Sequence, residues 1–250
     1  MSQSRAGAKE KALEYARAGH AAPDPATAAS LADKALALDP ECVEAWLLRA
    51  EGEEEAEAAL NVYRKAVKNA RSALGEEFFR EEEGRFWEVL ETRTYMRARL
   101  GEALCLYELR REDEAAWVLE EMLRLNPADD QGVRYILLSM LIEVEQYDAA
   151  ETLLEEYAGD VSPVWLYGRA LAGYLRHGPT MARPLRDKAL KNWPAVADYL
   201  GNVRDLPDDR IADYDVDELD EEMICALETR SVWKKSPKAL AWLLEGRNAD

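Results

Sequence analysis

The sequence predicts an all-α fold in which helix pairs stack into a right-handed solenoid, and two observations support this prediction. The first is segment 100–127, which has the pattern of a helix, a tight turn and a second helix that ends at a proline. The second is a ladder of mostly small and apolar residues that occurs twice, 67 residues apart. The ladder consists of Ala103, Ala115, Leu119, Met122 and Pro127, and then of Ala170, Ala182, Arg186, Ala189 and Pro194.

The distance between the two ladders indicates the length of the repeat. It is close to twice the length of a tetratricopeptide unit, which has about 34 residues and consists of two helices. A chain of 250 residues has room for about seven such units. The pattern itself accounts for about five helix pairs followed by C-terminal capping helices. The predicted class is therefore a tetratricopeptide-like solenoid.

The predicted solenoid is not uniform along the chain, because the repeat pattern is interrupted once and ends before the C-terminus. The pattern gives four segments. These are two N-terminal helix pairs (1–74), an inserted aromatic and acidic helical segment (75–90), the central repeats (91–201), and an acidic loop with C-terminal capping helices (202–250).

Two of these segments depart from the repeat for physical reasons. The insertion carries the aromatic pairs Phe78–Phe79 and Phe86–Trp87, which need an apolar environment, so we expect it to pack on the array. The C-terminal helices are expected to form a cap, because the last ordinary repeat of a solenoid would expose its inner face. Ser236 and Pro237 indicate the start of the final helix, as N-cap and first helical residue.

The charge of the chain disfavours several classes of partner. Its formal net charge is −18, which repels phosphate backbones and anionic lipid surfaces. We therefore expect neither nucleic-acid binding nor membrane binding. The sequence shows no signal peptide and no apolar stretch long enough to span a bilayer. Because Cys42, Cys105 and Cys225 are far apart and odd in number, we expect reduced thiols in a cytoplasmic protein.

No set of residues in the sequence indicates catalysis or cofactor binding. His20 and His177 are the only histidines and fall in different units, which argues against a catalytic triad or a multi-histidine metal site. Asp213, Asp215 and Asp217 alternate as in a calcium-binding loop, but the glycine and the final glutamate of such a loop are absent. We therefore predict a protein that is not an enzyme and that carries no metal or other cofactor.

The middle of the chain contains a more specific pattern. It consists of a phenylalanine–tryptophan pair, a Glu-Thr-Arg-x-Tyr-Met-Arg stretch and an Asn-Pro-x-Asp-x-Gln-Gly-x-Arg-Tyr stretch. Its elements are Phe86, Trp87, Glu91, Thr92, Arg93, Tyr95, Met96, Arg97, Asn126, Pro127, Asp129, Gln131, Gly132, Arg134 and Tyr135. In these elements the chain resembles the suppression-of-tumorigenicity-seven family and its bacterial tetratricopeptide relatives. It departs from the family pattern at Thr94, where the family has proline, and at Asp130, where the family has asparagine.

This resemblance covers about two thirds of the chain and includes the C-terminal segment 234–243, which is similar to the end of the bacterial members. It implies a helical repeat protein without enzymatic activity. The animal members are membrane-associated, but this sequence has no hydrophobic segment for that role. The resemblance is therefore carried over to the fold and not to the location.

The resemblance to tetratricopeptide arrays also implies a binding groove, since defined positions of the first helices line the concave wall in that fold. Counted from Met96, Asp130 and Pro163, these positions hold the leucines Leu104, Leu138 and Leu171, together with arginines, tyrosines and a glutamine as the candidate binding residues. These candidates are Arg97, Tyr107, Gln131, Arg134, Tyr135, Tyr167 and Tyr174. Arginine beside tyrosine is common in protein recognition, because a planar cation grips carboxylates and an amphipathic ring supplies contact area. The same residues also suit internal packing and pairing with the chain's own carboxylates.

Two hypotheses about function follow from these observations. The first is a non-catalytic scaffold or adaptor that binds a peptide or a helical segment of another protein in the groove. The alternative is a dedicated chaperone or regulatory subunit of one enzyme, which masks a basic client through its acidic surface. Homodimerisation is compatible with both. Salt separates the two hypotheses, because charge masking weakens as ionic strength rises and an aromatic groove does not.

Overall fold

The computed structural model describes residues 2–206 and 220–247, and within these residues it contains fourteen α-helices and no β-strand. The helices are α1 (Ser2–His20), α2 (Pro25–Leu38), α3 (Val43–Glu51), α4 (Ala56–Leu74), α5 (Glu76–Glu81), α6 (Leu90–Glu108), α7 (Glu112–Leu125), α8 (Val133–Glu143), α9 (Tyr147–Glu156), α10 (Pro163–His177), α11 (Pro179–Asn192), α12 (Pro194–Leu200), α13 (Glu221–Lys235) and α14 (Pro237–Arg247). The all-α prediction is confirmed for this part of the chain. The alternating aspartates of the predicted acidic loop, Asp213, Asp215 and Asp217, lie outside the described residues.

The chain divides into two units, Met1–Val133 and Arg134–Asp250. The first unit contains three helix pairs, α1/α2, α3/α4 and α6/α7, with the short helix α5 before the third pair. Helix α3 packs against both α1 and α2, and α6 packs against both α3 and α4. The first helix of each later pair therefore rests on both helices of the preceding pair.

Prolines and capping side chains determine where several helices begin. Asp24 caps α2, because its Oδ1 accepts a hydrogen bond of 2.8 Å from the backbone N–H of Thr27, and Pro25 follows in the first turn. Ser162 caps α10 in the same way before Pro163. Proline suits this position because the N–H that it lacks would have no partner in the helix.

The small residues of the first ladder lie at the contact between α6 and α7. Ala103, Ala115, Leu119 and Met122 are all buried there, and the two alanines allow the helix backbones to approach closely. In the second unit, Ala170, Ala182 and Ala189 occupy the corresponding buried positions between α10 and α11. Arg186 takes the place of Leu119 in this second ladder. It is also buried, and its Nη1 donates a hydrogen bond of 3.1 Å to the carbonyl of Trp242.

Phe79 and Phe86 of the insertion are part of the core of the first unit, whereas Phe78 and Trp87 are half-buried. Phe79, Phe86 and Tyr95 form an edge-to-face cluster with ring-centre distances of 4.6, 5.0 and 5.9 Å. The backbone N–H groups of Gly84 and Phe86 both donate to the carbonyl of Leu125, the last residue of α7. The inserted segment therefore packs on the third helix pair and supplies partners to its C-terminal end.

A buried network of charged groups joins three helices of the first unit. Glu102 on α6 accepts a hydrogen bond of 2.5 Å from Arg99 Nη1 and one of 3.2 Å from Arg64 Nε on α4. Arg99 also pairs with Glu121 on α7, and its guanidinium lies 5.3 Å from the centre of the Trp117 ring. Arg99 and Glu102 are buried, whereas Trp117 is 60% exposed. The network therefore ties α4, α6 and α7 together beneath an exposed indole.

The second unit is built around α10 and α11, which pack as a pair. Helix α13 packs on α10 and α12, and α14 packs on α10, α11, α12 and α13. Trp233 on α13 and Leu243 on α14 are fully buried by this arrangement. The two C-terminal helices thus cover apolar surface of the preceding helices.

The contact between α4 and α6 gives a test of the packing. A Cβ atom at Gly101 would lie 2.2 Å from Tyr63 Cε1. We therefore expect Gly101→Ala to displace the Tyr63 ring and to lower the free energy of unfolding by about 1–3 kcal/mol. Urea unfolding followed by circular dichroism measures this change. Gly7→Ala in α1 is the control, since its Cβ would meet open space and should cost nothing. Equal stability of both variants would contradict the contact.

Candidate interaction surfaces

Exposed polar and charged residues form a row across the three first helices of the first unit. Arg97 on α6 pairs with Glu51 on α3, with 3.2 Å between Nη2 and Oε1. The other carboxylate oxygen of Glu51 lies 3.5 Å from Nδ1 of His20 on α1. We call His20, Glu51 and Arg97 the first-helix face. Arg97 and Glu51 have 43% of their side-chain surface exposed, so the face is open to a partner.

The helices hold this face in place through contacts just beneath it. Thr94, one turn before Arg97, donates a hydrogen bond of 3.3 Å to Glu44 and forms a second link between α6 and α3. The half-buried phenol of Tyr63 lies near the same charges. Burial, with a smaller contribution from Glu51, raises the pKa of Tyr63 to about 12, although Arg97 lowers it. Tyr63 is therefore neutral near pH 7, and Arg97 and Glu51 supply the charge of the face.

A cavity of about 510 Å³ adjoins the first-helix face at the turn ends of the first two helix pairs. It shares His20 and Glu51 with the face, and much of its remaining wall is made of small residues, prolines and charged side chains. The cavity is lined by Gly19, His20, Ala22, Pro23, Asp24, Pro25, Ala28, Ala29, Leu48, Arg49, Glu51, Gly52 and Glu53. A side chain of a partner that lies on the face therefore has a concave space to enter.

Tyr107 and Gln131 also belong to the first unit. Tyr107 is half-buried near the end of α6, and its hydroxyl makes no hydrogen bond within the described residues. Gln131 is half-buried in the loop after α7, and its Oε1 is shielded from solvent without a hydrogen-bond donor in the described part of the chain. Two residues with positive φ, Asp129 and Gly132, shape this loop, and Asp129 Oδ1 accepts the Val133 N–H at 2.7 Å.

Arg134 and Tyr135 form a compact cluster in the second unit. Arg134 binds Asp160 with a distance of 2.9 Å between Nη2 and Oδ2, and Tyr135 donates a hydrogen bond of 3.0 Å to the same oxygen. The guanidinium of Arg134 also lies 4.3 Å from the centre of the Tyr135 ring and 5.3 Å from that of Tyr157. Only 16% of the Arg134 side-chain surface is exposed. This arginine is therefore largely committed to the protein's own carboxylate and rings.

The electrostatics of Asp160 show how firmly this cluster is held. Burial acts to raise the pKa of Asp160, but hydrogen bonds from Ser162, Arg134 and Tyr135 lower it, and the net shift is downward. The backbone N–H of Ser162 donates to Asp160 Oδ1 at 2.8 Å, and Ser162 in turn caps α10. The cluster thus fixes the start of α8 to the loop that precedes α10.

The two tyrosines on α10 differ in their surroundings. Tyr167 is fully buried, its hydroxyl donates a hydrogen bond of 2.7 Å to the Trp193 carbonyl, and burial raises the pKa of that hydroxyl. Its ring packs edge-on against Trp233 at 6.4 Å, so Tyr167 is part of the core of the second unit. Tyr174 is half-buried, and its ring lies 4.8 Å from that of Trp242 on α14.

The predicted groove residues therefore have different environments. Arg97, Tyr107 and Gln131 lie in the first unit, and Arg134, Tyr135, Tyr167 and Tyr174 lie in the second. Among the predicted residues, Arg134 and Tyr135 are in direct contact, since Arg134 Nη2 donates to the Tyr135 hydroxyl at 2.5 Å. Sequence reasoning did not anticipate the contribution of Glu51 and His20. Both are the last residues of first helices, and that shared position is the signal that could have found them.

The described residues offer little for covalent or metal chemistry. Within them, no group of three or more histidine, cysteine, aspartate or glutamate side chains is placed to hold a metal ion. All three cysteines are buried, and burial raises the pKa of the Cys42, Cys105 and Cys225 thiols. A raised pKa leaves little thiolate, which is the nucleophilic form. None of the helices in residues 2–206 and 220–247 has both the length and the apolar character needed to cross a bilayer.

Comparison with known proteins does not assign the chain to a family. No protein-family model matches it, and no curated protein matches it either. The resemblance to the suppression-of-tumorigenicity-seven family that residues 86–135 carry therefore stays a prediction.

The Arg134 cluster predicts a pH dependence of stability. The pKa of Asp160 in the folded chain lies below its ordinary value of 3.8, so its contribution is complete well above pH 3.8 and is lost as the pH falls through and below that value. We expect Asp160→Asn to lower the free energy of unfolding at pH 7 by about 1–3 kcal/mol and to flatten its decline in acid. Urea unfolding at a series of pH values measures both effects.

The control for this experiment is Asp148→Asn, which changes a carboxylate of the same unit that is 86% exposed. Its stability and acid slope should stay within about 0.5 kcal/mol of the unmodified chain. If Asp160→Asn retains the full acid slope, the cluster does not stabilise the second unit.

Proposed function

We propose that the protein is a non-catalytic adaptor that binds a segment of another protein on the first-helix face. The observation that carries this proposal is the row formed by His20, Glu51 and Arg97, which crosses three successive first helices and has a cavity beside it. An extended or helical segment that lies along the row meets polar or charged side chains from all three helices. The absence of a family match leaves this surface as the main support for the proposal.

The proposal includes the architecture of the first unit, which we infer to be a right-handed solenoid of the tetratricopeptide kind. The support is the way in which α3 rests on α1 and α2, and α6 on α3 and α4. In such an array the first helices of consecutive pairs form one continuous wall. The positions of the three residues on α1, α3 and α6 agree with such a wall, because the residues lie side by side on consecutive first helices.

The chemistry of the face suits a partner that carries a carboxylate. Exposed ion pairs contribute only about 0–1 kcal/mol each, so a partner can take the place of Glu51 on Arg97 at low cost. The guanidinium of Arg97 can bind the incoming carboxylate with two parallel hydrogen bonds. Leu104, seven residues after Arg97 and on the same side of α6, is 45% exposed and offers apolar contact beside it.

The packing of the other predicted residues decides which variants test binding. Tyr167 is in the core, and Arg134 is held by Asp160 at 16% side-chain exposure, so changes at either position act on stability first. The simultaneous change of Arg97 and Arg134 would mix binding with folding. Arg97 alone gives the cleaner test, because its partner Glu51 is exposed and can be solvated when the arginine is removed.

We expect Arg97→Ala to weaken binding of the partner by about tenfold or more, because it removes the cation that grips the partner's carboxylate. The partner is first identified by affinity purification of the full chain and mass spectrometry, and its affinity is then measured by calorimetry. The melting temperature should change by no more than about 2 °C, since an exposed ion pair adds little stability.

Arg80→Ala is the matched control. Arg80 is exposed on α5, so this variant loses the same charge from the same unit at a site outside the first-helix face. It should bind the partner as the unmodified chain does. Equal loss of affinity in both variants, or unfolding of Arg97→Ala, would refute the assignment of the face.

The dependence on salt separates this proposal from masking of a basic client. The net charge of −18 favours a long-range attraction to any basic protein, and such attraction is largely screened at distances beyond about 8 Å at physiological ionic strength. We expect the affinity for the partner to fall less than tenfold between 0.1 and 0.5 M salt, roughly the range over which the screening length halves. A complete loss of binding over this range would support the chaperone alternative instead.

A further inference from the structure

The second unit contains a pocket of about 210 Å³ between the end of α12, α13 and the start of α14. Its wall combines cationic, aromatic and aliphatic side chains. The lining residues are Tyr199, Leu200, Asn202, Arg204, Asp205, Leu206, Arg230, Trp233, Lys234 and Leu240. The pocket is separate from the first-helix face, which belongs entirely to the first unit, so an inference about it does not depend on the adaptor proposal.

The charge of this pocket is opposite to that of the chain. Arg204, Arg230 and Lys234 line it, with Asp205 as the one carboxylate among the lining residues. Arg204 is paired, since its Nε lies 3.4 Å from Asp198. Within the described residues, neither Arg230 nor Lys234 has an ion pair or a side-chain hydrogen bond. Among the described residues of this acidic chain, two cations in the wall of one pocket thus have no carboxylate partner.

The helix dipole accounts for only part of this arrangement. Lys234 and Lys235 are in the last turn of α13, where cations are favoured by the negative end of the helix. Lys235 has a partner in Glu143. Arg230 lies one turn earlier, before the last turn of α13, and is half-buried without a carboxylate partner in the described residues, so the helix dipole does not account for it. Arg230 is therefore the residue that points to a ligand.

The rest of the pocket indicates what that anion is attached to. Leu200 and Leu240 give the pocket an apolar wall beside the cations, with Trp233 packed behind them. Trp233 is fully buried, and its Nε1–H has no acceptor in the described part of the chain. A bare inorganic anion would pair with the cations but leave the apolar wall unfilled. A carboxylate on a small apolar body fills both parts.

We propose that this pocket binds a carboxylate that is attached to a small apolar group. Arg230 and Lys234 bind the carboxylate, and Leu200 and Leu240 contact the apolar group. Two sources have this chemistry: a free organic acid, and the C-terminal residue of a peptide. The volume of about 210 Å³ suits a group of the size of one amino-acid residue.

The test uses the full chain and a pair of probes that differ only in charge, N-acetyl-leucine and N-acetyl-leucine amide. Binding is measured by ligand-observed NMR and by calorimetry. We expect the acid to bind with a millimolar dissociation constant. The amide should bind at least about tenfold more weakly, because the hydrogen bonds from Arg230 and Lys234 to a charged carboxylate are lost. A short peptide that ends in leucine, with a free or an amidated C-terminus, then distinguishes the two sources.

Variants assign the binding to the pocket. Arg230→Gln and Lys234→Gln should each weaken binding of the acid by about tenfold, and Arg230→Lys should restore part of the affinity lost in Arg230→Gln. Lys238→Gln is the matched control, because it removes an exposed lysine of α14 that does not line the pocket. Circular dichroism establishes that each variant is folded before its affinity is compared.

Three results would overturn the assignment. The acid and the amide could bind equally, Arg230→Gln could bind as the control does, or inorganic phosphate could bind as tightly as the acid. A fourth result concerns the acidic stretch that follows Leu206 in the sequence. This stretch is tested with a variant in which each of its carboxylates is replaced by the corresponding amide. The changed residues are Asp208, Asp209, Asp213, Asp215, Asp217 and Glu218. If the acid binds only to this variant, the occupant of the pocket is the chain itself and the proposal is wrong.

Discussion

The buried ion pair between Arg99 and Glu102 is the constraint on which the first unit depends. One oxygen of Glu102 binds Arg99 on the same helix and the other binds Arg64 on α4, while Arg99 also pairs with Glu121 on α7, so the links to α4 and α7 fix the rotation of α6. Removing one partner of a buried pair typically costs about 3–5 kcal/mol, which is a large share of the stability of a domain. Two residues along a helix turn through about 200°. Burial of Arg99 therefore forces Arg97 to the opposite side of α6, where it meets Glu51.

Arginines of this chain serve two purposes, and their burial separates them. Arg99, Arg134 and Arg186 lie within the fold, where each connects elements that are far apart in sequence. Arg97 and Arg230 contribute little or nothing to such connections, since the first has an exposed partner and the second has none within the described residues. An arginine held internally is part of the architecture, whereas one with a weak partner or no partner keeps its donors available. Both interaction sites inferred for this protein rest on arginines of the second kind.

The sequence predicted the helices well, because the helical period and capping residues are local signals. Ala103 and Ala115 were identified from spacing alone and are buried where α6 meets α7. The sequence pattern does not identify the partners of the groove residues, because these partners are distant along the chain. Glu51 is 46 residues from Arg97, and Asp160 is 26 residues from Arg134. The spacing of the residues predicts a surface position for Tyr167, but the structure buries this residue. The indole of Trp233 packs against Tyr167 and belongs to a helix that is distant along the chain, so the spacing does not reveal it.

The exposed indole of Trp117 also makes the ion-pair network visible to spectroscopy. The chain has seven tryptophans, and the other six are buried or half-buried in the structure. A soluble quencher of fluorescence therefore reaches Trp117 first in the folded chain. Because the guanidinium of Arg99 lies against that ring, its emission reports on the state of the Arg99–Glu102 pair without any added label. The protein thus carries an intrinsic optical reporter at the junction of α4, α6 and α7.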